Sequence, residues 1–392
     1  MEIAILTCGM LPIPAVQGGA VENKIDFILK YNDRMKLHKI TVYSPWNQEA
    51  VKHPAISSDV NHYIFIDVSS FKARIARRLY GYFHSSEYYN YFIEYYFEKI
   101  YAHLKNQNYD CIYLDNCPGY VYKLSQRGYK NIVLRLGNDL LNSTTKYNEI
   151  IFNNLSKILT CSNYIGERVA TIRRDSKIRT LYNGIDVKAF APQKELQISR
   201  KKVGLSEEDF VIVYSGRVNK DKGVTELIDA MLMLHDKPNI KLMIIGSTFF
   251  ANAANEDDFV RSLKEKAKTI EDRIVFTGFI PYSQMPNYLQ LADIAALPSM
   301  WEEPFGLTIV EAMAAGLPLI TTKSGGIPEI CEGVATIVER DGIVNNLVSA
   351  IIDLYEHSEK RKQMAEASLE RAKFFDKEAF TKNFFAALKI EP

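Results

Sequence analysis

Residues 302–316 have the sequence EEPFGLTIVEAMAAG, which predicts a buried helix that ends before Gly316. Nearly every position of this helix is apolar, yet Glu311 lies in its middle and Glu303 precedes its start. A buried carboxylate is costly unless a partner forms a hydrogen bond to it. The stretch therefore raises the question of which polar partner the two acids face.

Short apolar runs alternate with helical patterns on both sides of this stretch. Such alternation is typical of parallel, doubly wound α/β sheets. Because 392 residues exceed the size of one core, two Rossmann-like domains are predicted, at 1–185 and 186–374. The predicted strands are Glu2–Thr7, Lys39–Tyr43, Cys111–Leu114, Asn131–Leu136 and Lys157–Cys161 in the first half, and Phe210–Ser215, Lys241–Gly246, Arg273–Thr277, Ile294–Leu297 and Leu319–Thr322 in the second.

The bulk composition argues against several classes of protein. A net charge of +1 gives no reason to expect nucleic-acid binding, and no window has the length of a membrane span. The apolar run Ile3–Leu6 has no basic leader before it, which favours a first strand over a signal peptide. Five cysteines without paired spacing and seven scattered histidines predict no disulfide framework and no protein-held metal, and they fit a reducing cytoplasm.

The start of the predicted helix, at residue 306 or 307, is a candidate anion site. Free N–H groups and the positive end of the helix dipole at 305–308 attract a phosphate. Thr308 and Glu311 share one helix face, and Glu303 lies ahead of the same end. Since like charges repel, each glutamate would bind hydroxyl groups on either side of the phosphates. Hydroxyls that flank a diphosphate indicate a nucleotide-sugar.

Two cations after a predicted strand complement this site. Residues 215–223, SGRVNKDKG, follow a strand and precede a helix, which places Arg217 and Lys222 at the carboxyl edge of the second sheet. Open α/β sheets bind ligands at that edge. Arginine offers a fork and lysine a point charge, so both are predicted to stabilise a departing nucleoside diphosphate. Without the glutamate stretch, an ordinary charged surface loop would be the better interpretation.

A pair of glycines after the first strand adds a weaker signal. Gly18 and Gly19 let the backbone approach a ligand closely and expose amide donors. A lone pair of glycines more often forms a plain turn, so its position after the first strand is what favours a binding role.

Residues 299–329 resemble the glutamate motif of retaining glycosyltransferase family 4, of the bacterial polysaccharide and glycolipid type. Glu303 and Glu311 carry the likeness, together with GRVNKDKG at 216–223 and GGIPE at 325–329. Further matches are the glycine pair at 18–19, NGID at 183–186 and FTGF at 276–279, so the matches span nearly the whole chain in the family's order. The resemblance implies the GT-B fold, with an acceptor domain at 1–185, a donor domain at 186–374 that faces it across a cleft, and a helix at 375–392 that crosses back to the first domain.

The same resemblance implies a metal-independent transfer of a hexose from a nucleoside-diphosphate sugar, with UDP as the favoured carrier, to a glycan or lipid-linked acceptor. No cofactor is implied. Glu303 would contact the donor sugar, and a phosphate oxygen of the leaving group would take the acceptor proton in a front-face route. The other implied contacts are Glu311 to the ribose, Arg217 and Lys222 to the diphosphate, and the backbone or side chains of Gly18, Gly19, Phe305, Gly306, Leu307, Thr308, Gly278 and Phe279 to the nucleotide.

One departure from the family pattern concerns the reacting centre. Family members often carry a histidine after the strand that corresponds to Asn131–Leu136, and this chain has Gly137 there. Three explanations stay open: Asn138 or Asp139 replaces the histidine, the donor is a 6-deoxy sugar without the hydroxyl that the histidine contacts, or activity is impaired. A nucleotide-sugar epimerase of the same fold and a catalytically silent sugar-nucleotide-binding partner subunit are the alternative functions.

Residues 71–83, FKARIARRLYGYF, form a basic amphipathic pattern. The cations fall at helical spacing opposite Phe71, Ile75 and Leu79. Such a helix can lie on an anionic bilayer, which would place a cytoplasmic protein on the inner face of the membrane. The alternative is a solvated helix whose apolar stripe packs inward, with the tyrosine-rich residues 84–101 as a cover.

Overall fold

The chain folds into two α/β units, each built on one parallel sheet. The structure, a computed structural model, describes residues 1–84, 91–193, 195, 197–247 and 258–389. The first unit comprises Met1–Gly184 with Lys377–Pro392, and the second comprises Ile185–Asp376. These divisions lie close to the predicted ones at 185/186 and 374/375.

In the first sheet, the first three strands of the chain are added toward one edge and the later strands toward the other. Its described strands are β1 (Glu2–Leu6), β2 (Lys39–Pro45), β3 (Asn61–Ile66), β4 (Cys111–Asp115), β5 (Ile132–Leu136), β6 (Leu155–Thr160) and β7 (Ile178–Thr180). They are parallel and lie in the order β3-β2-β1-β4-β5-β6-β7, with Leu6 opposite Leu114. The strand β4 is buried along its whole length, as expected for a parallel sheet with both faces covered.

The second sheet repeats this doubly wound order. Its described strands are β8 (Phe210–Ser215), β9 (Ile240–Ile245), β10 (Ile274–Gly278), β11 (Ile294–Leu297), β12 (Leu319–Thr322) and β13 (Ala335–Val338). They lie in the order β10-β9-β8-β11-β12-β13, so the order reverses between β8 and β11. Open α/β sheets bind ligands outside such a switch point. Residues 216–223 after β8 (the cation loop) and 298–306 after β11 (the glutamate loop) both leave the sheet there.

Helices connect the strands in both units. Those of the first unit are α1 (Ala20–Met35), α2 (Phe71–Phe83), α3 (Tyr91–Leu104), α4 (Pro118–Ser125), α5 (Asn148–Asn153) and α6 (Asn163–Ala170), and those of the second are α7 (Val187–Phe190), α8 (Val224–Met233), α9 (Asp258–Lys266), α10 (Met285–Leu289), α11 (Leu307–Ala314), α12 (Ile327–Ile330), α13 (Ile343–Glu356) and α14 (Ser358–Ala372). The last helix, α15 (Lys377–Leu388), belongs to the first unit. None of the described helices combines the length and apolar character that a membrane crossing requires.

The predicted α/β architecture of two doubly wound parallel sheets is confirmed, and every predicted strand is present. Three further strands, β3, β7 and β13, were not predicted. Each lies at an outer edge of its sheet. Most of their residues are only partly buried, and β7 has only three residues, although β3 carries an apolar run at Tyr63–Ile66 that could have been used to predict it.

The C-terminal helix α15 completes the core of the first unit. Phe384 is fully buried, and its ring meets Tyr113 of β4 edge-on, with centroids 5.1 Å apart. The backbone at Gly184 runs so close to α15 that a Cβ there would lie 2.6 Å from the Cβ of Phe380. Phe380, Phe384 and Phe385 of this helix therefore form a packing surface of the first sheet's core.

Candidate functional site

Helix α11 begins at Leu307, where the sequence analysis placed the start of the buried helix. Gly306 caps it with a φ of 91°, and a Cβ there would lie 3.0 Å from Cγ1 of Ile309, so glycine suits the turn. Among the described residues, no hydrogen-bond acceptor is found for the N–H groups of Gly306, Leu307 and Thr308. These donors and the helix dipole form an anion-binding geometry at the carboxyl edge of the sheet.

The cation loop and the glutamate loop are fastened to each other beside this helix. The Met300 N–H donates to the Asp221 carbonyl at 2.8 Å. A Cβ on Gly223, which has a φ of +72°, would lie 1.8 Å from the carbonyl oxygen of Pro298, so only glycine allows this approach. The strand switch thus brings together the two segments that the sequence analysis connected through chemistry alone.

Glu303 has two side-chain partners across these loops. Lys222 forms an ion pair with its Oε2, and the Trp301 Nε1–H donates to the same oxygen at 2.9 Å. Both charged side chains are less than one-fifth exposed, at 18% for Lys222 and 16% for Glu303. Its Oε1 has no hydrogen-bond partner within the described ranges. The family resemblance implies that Glu303 contacts the donor sugar and Lys222 the diphosphate, whereas in this structure the two side chains are each other's partners.

Glu311 is the buried acid of α11, with 5% of its surface exposed. Burial raises the pKa of its carboxyl to about 7, although a hydrogen bond from the Tyr282 hydroxyl opposes this rise. The ring of Tyr282 is held edge-on by Phe190, with centroids 5.7 Å apart. Sequence reasoning missed Tyr282 because no local pattern connects it with Glu311.

Arg217 is exposed at the start of the cation loop. Its carbonyl accepts a hydrogen bond of 2.7 Å from the hydroxyl of Tyr214, a buried residue of β8. No ion-pair partner of its guanidinium is present among the residues that the structure describes. The backbone is therefore fixed while the charged group is available to an anion.

Glycines line the carboxyl edge of β8, β9 and β10. The Gly246 N–H donates to the Gly278 carbonyl at 3.0 Å. A Cβ on Gly246, which has a φ of +140°, would lie 1.9 Å from the Gly216 oxygen. Phe279, beside Gly278, leaves 38% of its surface exposed. Gly246 was not singled out from the sequence, although a glycine that ends an apolar strand is a usable signal for close backbone approach.

The predicted residues Gly18 and Gly19 lie in the first unit, in the turn before α1. A Cβ on Gly19 would lie 2.1 Å from Oε2 of Glu22, whereas one on Gly18 would meet no atom within 4 Å. Glu22 is buried, and burial raises the pKa of its carboxyl to about 7. Both glycines have a positive φ, 75° at Gly18 and 102° at Gly19, so the turn favours glycine at each position, and Gly18 borders open space.

Asn138 and Asp139 follow β5 in the first unit, and their side chains differ in the polar contacts that they make. Asp139 forms an ion pair with Arg168 at 2.7 Å and accepts a hydrogen bond from Asn142 at 2.9 Å. Asn138 is exposed, and its side chain makes no hydrogen bond in the part of the chain described. Of the two predicted substitutes for histidine, Asn138 is the one available to a ligand.

Comparison with known proteins gives the class of the second unit. Residues 196–371 match the family of glycosyl transferases group 1. Spore coat protein SA of Bacillus subtilis (strain 168) is 26% identical over 95% of this chain and 94% of its own length. The lipopolysaccharide 1,2-N-acetylglucosaminetransferase of Salmonella typhimurium is 31% identical over 44% of this chain and 47% of its own length.

A solved structure shows the same fold over both units. HepE of Anabaena in complex with UDP and glucose matches with a TM-score of 0.74 and 20% identity, over 99% of each chain. The two Rossmann-like units therefore have the GT-B architecture of this neighbour. Residues 196–371 are a group 1 glycosyl transferase domain, and the protein is an enzyme of the glycosyltransferase class.

Because Glu311 is a buried acid, we expect Glu311→Gln to change the free energy of unfolding by an amount that depends on pH. The folded-state pKa of about 7 lies above the ordinary value of 4.5, so ionised Glu311 opposes folding, and this cost grows as pH rises through that window. The variant should be more stable than wild type by on the order of 2–3 kcal/mol at pH 8 and by about 1 kcal/mol or less at pH 5. Urea titrations at the two pH values measure this difference.

The matched control is Glu332→Gln, which removes the same charge from an exposed position of the second unit. It should show no such pH-dependent gain. An equal effect of Glu311→Gln at both pH values would contradict the assignment of a raised pKa to Glu311.

Proposed function

We propose that the protein transfers a hexosyl residue from a nucleoside-diphosphate sugar, with UDP as the carrier, to a glycan or lipid-linked acceptor. The observation that carries this proposal is that the open N–H groups of α11 lie, along the chain, between two carboxylate residues, Glu303 before them and Glu311 after them. Nucleotide-sugars present hydroxyls on both sides of a diphosphate, and this arrangement of acceptors and donors complements them.

The diphosphate would bind at the N–H groups of Gly306, Leu307 and Thr308, with the guanidinium of Arg217 as a second anchor. Lys222 has a double role in this proposal. Its ammonium already neutralises Glu303, and it can also approach a phosphate because an ammonium has three donors. Glu311 would bind ribose hydroxyls, which would share or replace its hydrogen bond with Tyr282.

Glu303 is the proposed contact to the donor sugar. Its Oε2 is held by Lys222 and Trp301, which fixes the direction of the carboxylate and leaves Oε1 toward a hydroxyl donor. A negative charge next to the sugar would stabilise positive charge that develops at the anomeric carbon. The Trp301 indole acts as a positioning group because it holds the carboxylate and touches no substrate in this scheme.

We also propose the finer family 4 assignment, with retention of configuration and a front-face route. In this route the glycosidic bond to the leaving phosphate breaks, the acceptor oxygen bonds the anomeric carbon from the same face, and its proton passes to a leaving-group oxygen. The motif around Glu303 and Glu311 supports the assignment. Arg217 and Lys222 supply cationic charge to the leaving group, so the scheme requires no protein-held metal.

UDP is favoured because the HepE neighbour was solved with UDP and glucose. The exposed backbone edge at Gly278 and Phe279 is the proposed contact to the base. A glycan or lipid-linked acceptor is favoured because the Salmonella relative is named for a lipopolysaccharide acceptor. Asn138 is the proposed substitute for the absent histidine, and this substitution predicts that ordinary hexoses with a 6-hydroxyl are accepted. A cytoplasmic location remains a prediction of the cysteine pattern.

A donor panel tests the proposed activity. The protein is incubated with UDP-glucose, UDP-N-acetylglucosamine, GDP-mannose and a dTDP-6-deoxy sugar in the presence of a chelator, and release of nucleoside diphosphate is measured. A UDP-hexose should turn over, and Glu303→Ala should lower turnover by on the order of a hundredfold or more, because the charge beside the anomeric carbon is lost. Glu332→Ala, at an exposed position, should leave turnover unchanged.

Other outcomes of the panel separate the alternatives. If only the dTDP-6-deoxy sugar turns over, the donor is a 6-deoxy sugar and not an ordinary UDP-hexose. An epimerised sugar without transfer would indicate an epimerase, and no turnover of any donor would indicate a silent partner subunit. Wild-type kinetics in Glu303→Ala would show that the site assignment is wrong.

The cation loop offers a matched comparison within one segment. Arg217→Ala and Lys222→Ala should each lower kcat about ten- to a hundredfold, since a hydrogen bond to a charged group contributes roughly 1.5–3 kcal/mol. Lys220→Ala removes an exposed cation from the same loop and should leave kcat near the wild-type value. Steady-state kinetics at saturating donor measure the three variants. Loss of activity in Lys220→Ala with full activity in Arg217→Ala would contradict the proposed roles.

A further inference from the structure

Helix α2 exposes its apolar side chains. Ala73 is 7% exposed, whereas Phe71, Leu79, Tyr82 and Phe83 are between 58% and 84% exposed. The interpretation in which the apolar stripe packs inward is therefore wrong for the described residues. Residues 85–90, part of the tyrosine-rich segment considered as a cover, lie outside the described residues.

The opposite side of α2 anchors it to the first unit. The Tyr80 ring meets Tyr95 of α3 edge-on, with centroids 6.1 Å apart. The Arg77 Nη1–H donates to the Val68 carbonyl at 3.2 Å. Ala73 lies on this same inward side, where its small side chain permits close packing. The helix is thus held to the protein by one face, while the apolar side chains of the other face are exposed.

The geometry of the helix separates these two faces. At about 100° per residue, Phe71, Ile75, Leu79, Tyr82 and Phe83 fall within an arc of about 120°, and the inward face lies roughly 150° from the centre of that arc. The outward face (the α2 outer face) is therefore both apolar and aromatic. A single exposed apolar residue needs no explanation, but a contiguous exposed set indicates a surface that meets an apolar phase.

Cations lie beside and within the α2 outer face, since Arg78 and Arg74 fall about 20° and about 60° beyond its Phe71 edge and Lys72 falls inside its arc. The predicted placement of the cations opposite the apolar stripe is therefore wrong. Lys72, Arg74 and Arg78 are exposed, and the helix sequence FKARIARRLYGYF contains no acidic residue. Within the described part of the chain, none of these three cations has an ion-pair partner. An apolar and aromatic face with free cations beside it complements a lipid bilayer with anionic headgroups, since the rings enter the interface and the cations meet the phosphates.

We propose that the α2 outer face docks the protein on the surface of an anionic lipid bilayer. The apolar side chains insert at the headgroup and acyl boundary, and Lys72, Arg74 and Arg78 pair with lipid phosphates. A protein partner with an acidic surface would match the cations but not the five outward apolar side chains as a set. This inference does not depend on the donor assignment, because docking requires neither nucleotide nor transfer.

Vesicle co-sedimentation of the full chain, without nucleotide, tests the proposal. Vesicles of phosphatidylcholine mixed with phosphatidylglycerol should bind the protein, and vesicles of phosphatidylcholine alone should not. Added salt should weaken binding, because cations at the surface act over a Debye length. The triple variant Lys72→Gln, Arg74→Gln, Arg78→Gln should lose on the order of a hundredfold in partition, at about fivefold for each cation.

A matched control separates the effect of the α2 cations from the effect of the protein's net charge. The triple variant Lys52→Gln, Lys105→Gln, Lys130→Gln removes the same charge from exposed positions of the first unit. It should bind anionic vesicles far better than the α2 triple variant. The double variant Ile75→Ser, Leu79→Ser keeps every cation and should also bind weakly. Circular dichroism and the thermal transition check that these variants are folded.

A fluorescent reporter variant tests docking without a substitution that is expected to weaken binding. Tyr82→Trp places an indole on the α2 outer face, and its emission should shift to shorter wavelength on addition of anionic vesicles. Absence of binding by the wild type, or equal loss in the two triple variants, would overturn the proposal. A concentration-dependent dimer in sedimentation velocity that Ile75→Ser, Leu79→Ser abolishes, without vesicle binding, would assign the face to a second copy and also overturn it.

Discussion

The candidate site depends on the contact between two loops at the switch point of the second sheet. Gly223 allows the cation loop to approach the Pro298 carbonyl, and the Met300 N–H closes the contact on Asp221. Because both loops leave neighbouring strands at the carboxyl edge, the contact places Lys222 against Glu303 and orients both beside the start of α11. A side chain at Gly223 would separate the loops and remove this juxtaposition.

The candidate site contains groups that lower the stability of the folded protein. Glu311 is buried, and burial raises the pKa of its carboxyl to about 7, so a negative charge at this position is costly at neutral pH. Gly306 holds a left-handed backbone, and the N–H groups after it remain without acceptors among the described residues. Such uncompensated groups cluster where a ligand completes them. Donor binding would therefore stabilise the second unit as well as position the reacting sugar.

The sequence predicted the elements whose signals are local. Central strands such as β4 and β8 are buried on both faces, so they require the apolar runs that mark them. Edge strands have no such requirement, so their signal varies: β7 has only three residues and was missed, whereas the edge strand β10 was predicted. Within the site, α11 and both loops were predicted, but the Tyr282–Glu311 and Trp301–Glu303 hydrogen bonds were not, because tertiary packing decides the first and loop conformation the second.

The proposed function depends on where the diphosphate binds, and a crystal structure with bound UDP would locate it. We expect phosphate oxygens to accept hydrogen bonds from the N–H groups at 306–308 and to contact Arg217, while ribose hydroxyls donate to Glu311. Lys222 should stay within reach of both Glu303 and a phosphate. UDP bound away from the start of α11, with Glu303 and Glu311 untouched, would contradict it.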